Sequence, residues 1–401
     1  MIDPDALASA FAARFGRAPR LYRAPGRVNI IGEHTDYNDG FVMPMALDRS
    51  TWIAAAPRTD RRLVVRSEAY DAEETIDLDG LQPGPAGKWT DYVRGVASVL
   101  EDNLAGSLTG ADMLIASDVP IGAGLSSSAA LEVACGLSLV DLAGGSIDPT
   151  ALARACQRAE HEFAGTRCGI MDQMIACYGR AGAVMRLDTR SLERDFLPLP
   201  SRVRVIVCNT MVVHALASAE YNARRADCEA GVRALARRCP DIHALRDATL
   251  AQLEAVRADV SPQVWRRCRH VITENDRVLR AADALRRGDF ATMGSLMAAS
   301  HASLRDDYEV SCPELDVMTT IVSELAGVFG ARMTGGGFGG CVVALADAPA
   351  VDARMEQTIR DRYEASTGRH PDVWICAAGD GACRAEALRR EGGSARSPAR
   401  V

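Results

Sequence analysis

The sequence predicts two domains of mixed α and β structure, and three observations carry that expectation. At 401 residues and 42.9 kDa the chain is too long for one ordinary hydrophobic core. Its first half alternates short apolar runs of strand character with helical stretches, as an α/β or α+β unit would. From about residue 200 the pattern shifts to long Ala/Arg/Leu-rich helical periodicity.

Taken in order, Val28 to Ile31 forms an apolar run between Arg27 and the cluster Glu33-His34-Thr35-Asp36, and a second run follows the Asn38-Asp39-Gly40 turn signal. A strand therefore delivers charged groups to one loop. Trp52 to Ala55, Leu63 to Val65 and Met113 to Ala116 read as strands, and 91–101, 129–143 and 150–163 as helices. Val203 to Cys208 reads as a strand, 216–238 and 262–304 as helix, and a glycine cluster at 335–340 leads into a strand, Cys341 to Leu345. We place an N-terminal domain at 1–195 and a C-terminal domain at 196–391; the small, polar residues 392–401 are expected to be a disordered tail.

Composition narrows the function. With 48% hydrophobic and 25% charged residues the chain is of globular type, and a formal net charge of -7 with scattered basic residues argues against a nucleic-acid or anionic-membrane footprint. Twelve cysteines, dispersed from Cys135 to Cys383 without a CxxC pair, read as buried thiols of a reducing compartment. Met1-Ile2-Asp3-Pro4-Asp5 lacks a basic, then apolar, leader, and no apolar run reaches 18 residues. A cytoplasmic protein with a small-molecule partner is expected.

Gly122-Ala123-Gly124-Leu125-Ser126-Ser127-Ser128 runs into the strong helix formers Ala129-Ala130-Leu131-Glu132. A glycine-rich loop opening a helix offers free N–H groups and a positive dipole end, both favourable to phosphate, and its hydroxyls can donate to phosphate or ligate Mg²⁺. A plain glycine turn with serine N-caps is the alternative. Lys88 is the sole lysine, with Gln82 and Trp89 where a Walker A loop needs Gly and Ser or Thr, so that loop is excluded. Gly335, Gly337 and Gly340 formally match GxGxxG, but a strand follows where a dinucleotide fold needs a helix, so these glycines suit close approach of backbone to a ligand or another segment.

Asp172, in Gly169-Ile170-Met171-Asp172-Gln173, either caps a helix beginning near Gln173 or serves as base or electrostatic partner to a substrate hydroxyl. Glu160, near the end of the predicted helix 150–163, opposes the helix dipole, a placement that a cation would offset; a solvated helix face is the alternative. Arg27, Glu33, His34 and Asp36 suit adjacent hydroxyls of a polar ligand, or a salt-bridged loop. One His with two carboxylates is a poor zinc set, and a calcium loop starting at Asp36 would need Glu where Leu47 stands.

Together these motifs resemble the GHMP kinase superfamily, and Gly26 to Gly40 is similar to the galactokinase family signature at nearly every position. Gly124 to Ala130 resembles the superfamily phosphate loop and Thr334 to Gly340 its third motif, with further similarity at Cys168 to Gln173, Ser218 to Tyr221 and Asp306 to Asp316. The resemblance implies a two-domain α+β fold of mixed sheets and helices with its site in the cleft between domains. It implies transfer of the ATP γ-phosphoryl group to the anomeric C1 hydroxyl of α-D-galactose, the first committed step of galactose catabolism, by an enzyme expected to be a monomer. Asp172 would be the base near O1, with Arg27 beside it favouring the ionised forms. Glu33, His34, Asp36, Gly169 and Tyr221 would bind sugar hydroxyls, while Gly122, Ala123, Gly124, Leu125, Ser126, Ser127 and Ser128 cradle the phosphates. Ser128 and Glu160 would serve Mg²⁺, and Trp89 would lie near the adenine. The departures are minor: His214 and Ala215 lie in a region that varies in the family.

Overall fold

A computed structural model describes residues 1–83, 87–103, 107–213 and 217–385. The expected tail at 392–401 and the pair His214 and Ala215 lie outside the described residues.

In chain order the elements are α1 (Pro4–Phe15), β1 (Arg20–Asn29), β2 (Phe41–Val42), β3 (Pro44–Pro57), β4 (Arg62–Ser67), β5 (Ala72–Asp77), α2 (Thr90–Asn103), β6 (Ala111–Ser117), α3 (Ser127–Leu142), α4 (Pro149–Ala159) and α5 (Met171–Tyr178). There follow β7 (Ala183–Asp188), β8 (Arg194–Pro198), β9 (Val203–Asn209), α6 (Ala217–Ala236), α7 (Leu250–Ala255), α8 (Pro262–Arg287), α9 (Phe290–Ser303), α10 (Pro313–Ser323), β10 (Val328–Thr334), β11 (Cys341–Asp347), α11 (Ala353–Thr367), β12 (Asp372–Cys376) and β13 (Cys383–Ala385). The strands form sheets in the orders β13-β1-β3-β6-β4-β5, β10-β11-β9-β12 and β2-β7-β8, antiparallel throughout except for the β4–β6 pair. Mixed sheets with helices packed on them make the fold α+β.

Side-chain alternation explains the layers. Along β3, Ile53 and Ala55 join Val93, Val96 and Val133 of the helices α2 and α3, whereas Ala54 and Ala56 turn the other way onto Leu7 and Phe11 of α1. The second sheet repeats the device: Val205, Val207, Val343 and Leu345 face Val278 and Met297, and Ile206, Cys208, Val342 and Ala344 face Leu235 and Met318. Both sheets are thus covered on two faces, which is why their strands read as continuous apolar runs.

Two boundaries differ from the sequence reading in ways that matter locally. The stretch 262–304 is two helices, because Gly288 takes a left-handed C-cap at φ 67° and the Asp289 side chain then caps α9 through the Thr292 N–H. The expected helix 150–163 closes as an α-helix at Ala159 and continues as a π-turn, Glu160–Ala164, which turns Glu160 inward. All twelve cysteines are free. No helix among the described residues is long and apolar enough to cross a membrane.

Candidate active site

The site grows from the end of β1. A Cβ on Gly26 would lie 2.7 Å from Val119 Cγ1 and 2.8 Å from the Leu125 carbonyl, so only glycine lets this strand abut the loop before α3. There the Arg27 N–H donates to the Leu125 carbonyl at 3.0 Å, and a register shift between Pro25 and Arg27 re-aims the chain. The buried Arg27 guanidinium grips Asp172 as a fork, Nε to Oδ1 and Nη2 to Oδ2 at 2.7 Å each, and gives Nη1 to the Gly124 carbonyl at 2.6 Å. Asp172 is the second residue of α5, after Ile170 at the N-cap position. Its carboxylate therefore does not cap the helix but faces Arg27 and the Ser126 hydroxyl, which donates to Oδ2.

The Glu33-His34-Asp36 loop closes against Gly169 and Tyr221. Glu33 Oε1 accepts from the Gly335 N–H at 2.8 Å and from Arg332 and Thr334 at 3.3 Å each; burial nevertheless pushes the carboxyl above its ordinary range. Asp36 is pushed up to about 7, first by burial and then by the charges of Asp172 and Glu33. Its carboxylate lies so close to Gly169 that a Cβ there would fall 1.8 Å from Oδ2. His34 has φ 63° and is held by Tyr37 and the Gly336 carbonyl, with its ring 5.3 Å from that of Tyr221. Burial pushes its imidazole well below the ordinary value, so the ring is neutral.

At the phosphate-loop end, α3 begins at Ser127, with Ser126 at the N-cap position in a left-handed conformation at φ 58°. The Ser126 hydroxyl, committed to Asp172, leaves the helix N–H groups uncapped. Gly122, Gly124 and Ser126 to Ser128 line the cavity, whereas Ala123 and Leu125 anchor their side chains in the core. The glycine cluster packs on this loop: a Cβ on Gly335 would meet the Gly124 carbonyl at 2.6 Å, and one on Gly340 the Ala123 carbonyl at 2.8 Å. These glycines thus let one segment approach another closely, and Gly335, Gly336, Gly337, Gly339 and Gly340 also line the cavity.

Ser128 Oγ donates to Glu160 Oε1 at 3.4 Å, and Gln173 Nε2 donates to Glu160 Oε2 at 2.9 Å and to Glu132 Oε2 at 3.2 Å. Burial, then the Asp172 charge, pushes Glu160 up to about 7. Sequence reasoning missed Glu132 and Gln173 as members of this cluster, although Glu132 lies one helical turn after Ser128 and so on its face. Among the described residues no group of three or more His, Cys, Asp or Glu is arranged to hold a metal. A hydroxyl and a carboxylate beside a helix N-terminus still fit Mg²⁺, which takes few protein oxygens and fills its octahedron with phosphate and water.

One cavity of about 600 Å³ joins these groups. His34, Gly169 and Tyr221 line one part, and Trp89 and Tyr70 another. The last two rings stack 5.7 Å apart at 7°, an aromatic pair that the sequence did not disclose.

Comparison with known proteins agrees with this geometry. Residues 9–57 match the galactokinase galactose-binding signature, 91–180 the GHMP kinases N terminal domain and 281–365 the GHMP kinases C terminal domain. The chain is 47% identical over 386 residues to a galactokinase of Roseiflexus sp. (strain RS-1), covering 96% of this chain and 98% of that one. It is 48% identical over 383 residues to a galactokinase of Chloroflexus aurantiacus, with 95% and 97% covered. Lactococcus lactis galactokinase, solved in complex with galactose, superposes with a TM-score of 0.91 at 32% identity, covering 95% of this chain and 99% of that one. A mevalonate kinase shares the fold alone, with a TM-score of 0.60 at 17% identity over 89% of this chain and 98% of that one.

Proposed function

This chain belongs to the galactokinase family of the GHMP kinases, and from that premise we propose how its cavity moves the γ-phosphoryl group of ATP to the anomeric C1 hydroxyl of α-D-galactose. The observation that carries the reading is the Arg27–Asp172 fork, which is tied through Gly124 and Ser126 to the uncapped N-terminus of α3 and shares one cavity with the Glu33-His34-Asp36 loop.

Phosphoryl transfer needs positioning and charge neutralisation more than covalent chemistry. The free N–H groups of α3 and the Ser127 and Ser128 hydroxyls receive the phosphates, and Trp89 flanks the adenine. Glu33, His34, Asp36, Gly169 and Tyr221 surround the sugar. Asp172 Oδ2 already accepts from Arg27 and Ser126, whereas among the described residues Oδ1 accepts from Arg27 Nε alone, so Oδ1 keeps a lone pair for the anomeric proton. With the carboxylate held by a guanidinium, the proton moves late, as the oxygen acquires its bond to phosphorus. Ser128 and Glu160 would hold Mg²⁺, which supplies charge neutralisation to the phosphates when bound. We propose 1–195 and 196–391 as the two domains of the sequence, with β13 of the second pairing back onto β1 of the first, and the enzyme as a cytoplasmic monomer; the free thiols and the net charge of -7 support a reducing, non-membrane setting.

A coupled ADP-release assay with MgATP over galactose, N-acetylgalactosamine and arabinose tests this. Turnover highest on galactose is expected; sugar binding without ADP release would overturn the reading.

A further inference from the structure

A buried hydrogen-bond chain runs from the core behind α6 into the sugar part of the cavity. Cys228 Sγ lies 3.2 Å from Tyr308 Oη, Tyr308 Oη 2.7 Å from Tyr37 Oη, Tyr37 Oη 2.8 Å from His34 Nδ1, and His34 Nε2 3.2 Å from the Gly336 carbonyl. None of these distances alone says which atom donates. The last contact settles them all, because a carbonyl can only accept. His34 Nε2 must therefore carry its proton. In a neutral imidazole Nδ1 is then bare and accepts from Tyr37. The single Tyr37 proton is thereby spent, so Tyr308 donates to Tyr37, and the Cys228 thiol donates to Tyr308.

Packing keeps the chain in place. Tyr308 is 0% exposed, and its ring lies 4.7 Å from the rings of both His34 and His270. His270 itself is pinned, with Nδ1 3.0 Å from the Ser303 hydroxyl and Nε2 3.2 Å from the Glu33 carbonyl. Burial also pushes the His34 imidazole far down, which removes the doubly protonated form that would break the chain at Tyr37.

We propose that Tyr37 and Tyr308 are positioning residues for sugar recognition: with the Gly336 carbonyl accepting from Nε2–H, their hydroxyls pass a proton towards the bare Nδ1 and hold His34 in that tautomer, so that His34 meets the substrate as a hydrogen-bond donor. The inference rests on the galactokinase reading of this cavity and adds the sense in which one hydroxyl is read. A long 3.2 Å contact to Gly336 is one that a sugar oxygen can share or replace. That oxygen then serves as acceptor, and its own proton is not what His34 recognises.

Fluorine in place of a hydroxyl keeps an acceptor and removes a donor; hydrogen removes both. Galactoses carrying fluorine or hydrogen at C2, C3, C4 or C6 therefore read the locked donor. In the wild-type chain one position is expected to tolerate fluorine better than hydrogen in kcat/KM by about two- to tenfold, the worth of an uncharged hydrogen bond. In Tyr37→Phe, where the Gly336 carbonyl alone favours Nε2–H, that gap narrows and KM for galactose rises, with KM for ATP unchanged. A gap undiminished in Tyr37→Phe, or no gap at any position, overturns the proposal. A second measurement does not depend on the variant's folding: ¹⁵N NMR of the wild-type histidines, with His34 identified by its loss in His34→Gln, should show a bare Nδ1 and a protonated Nε2. A protonated Nδ1 refutes the lock. Absence of galactose turnover by the wild-type chain would instead strike the galactokinase reading, and the NMR result would still decide the tautomer.

Discussion

Gly169→Ala is a one-carbon test of how the sugar loop is built. Gly169 is not among the positive-φ glycines, so alanine adds no backbone strain there. Its Cβ would instead fall 1.8 Å from Asp36 Oδ2 and 1.9 Å from Asp36 Cγ, where contacts under 3.0 Å are not tolerated. The carboxylate must retreat by the difference between 3.0 and 1.8 Å, which is 1.2 Å or more. On the proposed reading, a displacement of that size breaks the hydrogen bond between Asp36 and a substrate hydroxyl, worth about 1.5–3 kcal/mol when the carboxylate is ionised. That converts to roughly a 10- to 150-fold loss in kcat/KM for galactose, with KM for ATP little changed. Coupled ADP release at varied galactose and varied ATP reads both, and a thermal melt reports the fold. Since the damage passes through Asp36, Gly169→Ala should cost little more once Asp36→Ala is present. A single variant within twofold of wild type, or a cost undiminished in the double variant, would refute the reasoning.

Asp172→Asn should keep ATP binding and lose most turnover, by about 100-fold or more, because among the described residues no other carboxylate is tied to both Arg27 and the loop before α3; single-turnover kinetics with an ATP-binding titration check it. Glu160→Ala should raise the Mg²⁺ concentration needed for half-maximal rate, and an unchanged magnesium dependence, or unchanged Mn²⁺ binding by electron paramagnetic resonance, counts against ligation. Asp36 gives a pH signature. Its carboxyl is pushed up to about 7 in the folded chain and lies near 3.9 when unfolded, so its contribution is fully present below pH 3.9 and is lost as pH rises through 7. Asp36→Asn should thus match wild type in stability near pH 4 and exceed it above pH 7, by at most about 4 kcal/mol before screening by water. Melting curves at both pH values that show no widening difference would be the adverse result.

Much of this was legible in the chain because local rules decided it. The strand character at Val28, the Asn38-Asp39-Gly40 turn and the serine-opened α3 follow from strand, turn and helix-start chemistry within a few residues, although β1 ends at Asn29, two residues before the apolar run does. What local rules could not supply were meetings across long separations. Arg27 and Asp172 are 145 residues apart, and only the family resemblance put them side by side; Tyr37 and Tyr308 are 271 apart, and no period, cap or motif signals their contact. Asp172 shows the limit clearly. Local chemistry left this carboxylate at the start of α5 open between a cap and a partner of a substrate hydroxyl, and the structure shows it not capping the helix but paired with Arg27 from β1. Tyr70 was invisible for the same reason, since its stack on Trp89 depends on how the β4–β5 hairpin folds over the start of α2.

The central claim is transfer to one hydroxyl of one sugar, and product analysis tests it most directly. Incubated with galactose and MgATP, the chain should release one ADP per galactose consumed; ³¹P NMR should show a phosphomonoester coupled to the anomeric proton, and ¹H NMR the small H1–H2 coupling of an α-linked 1-phosphate. Release of ADP without a sugar phosphate, or a phosphate on any carbon other than C1, would contradict the account.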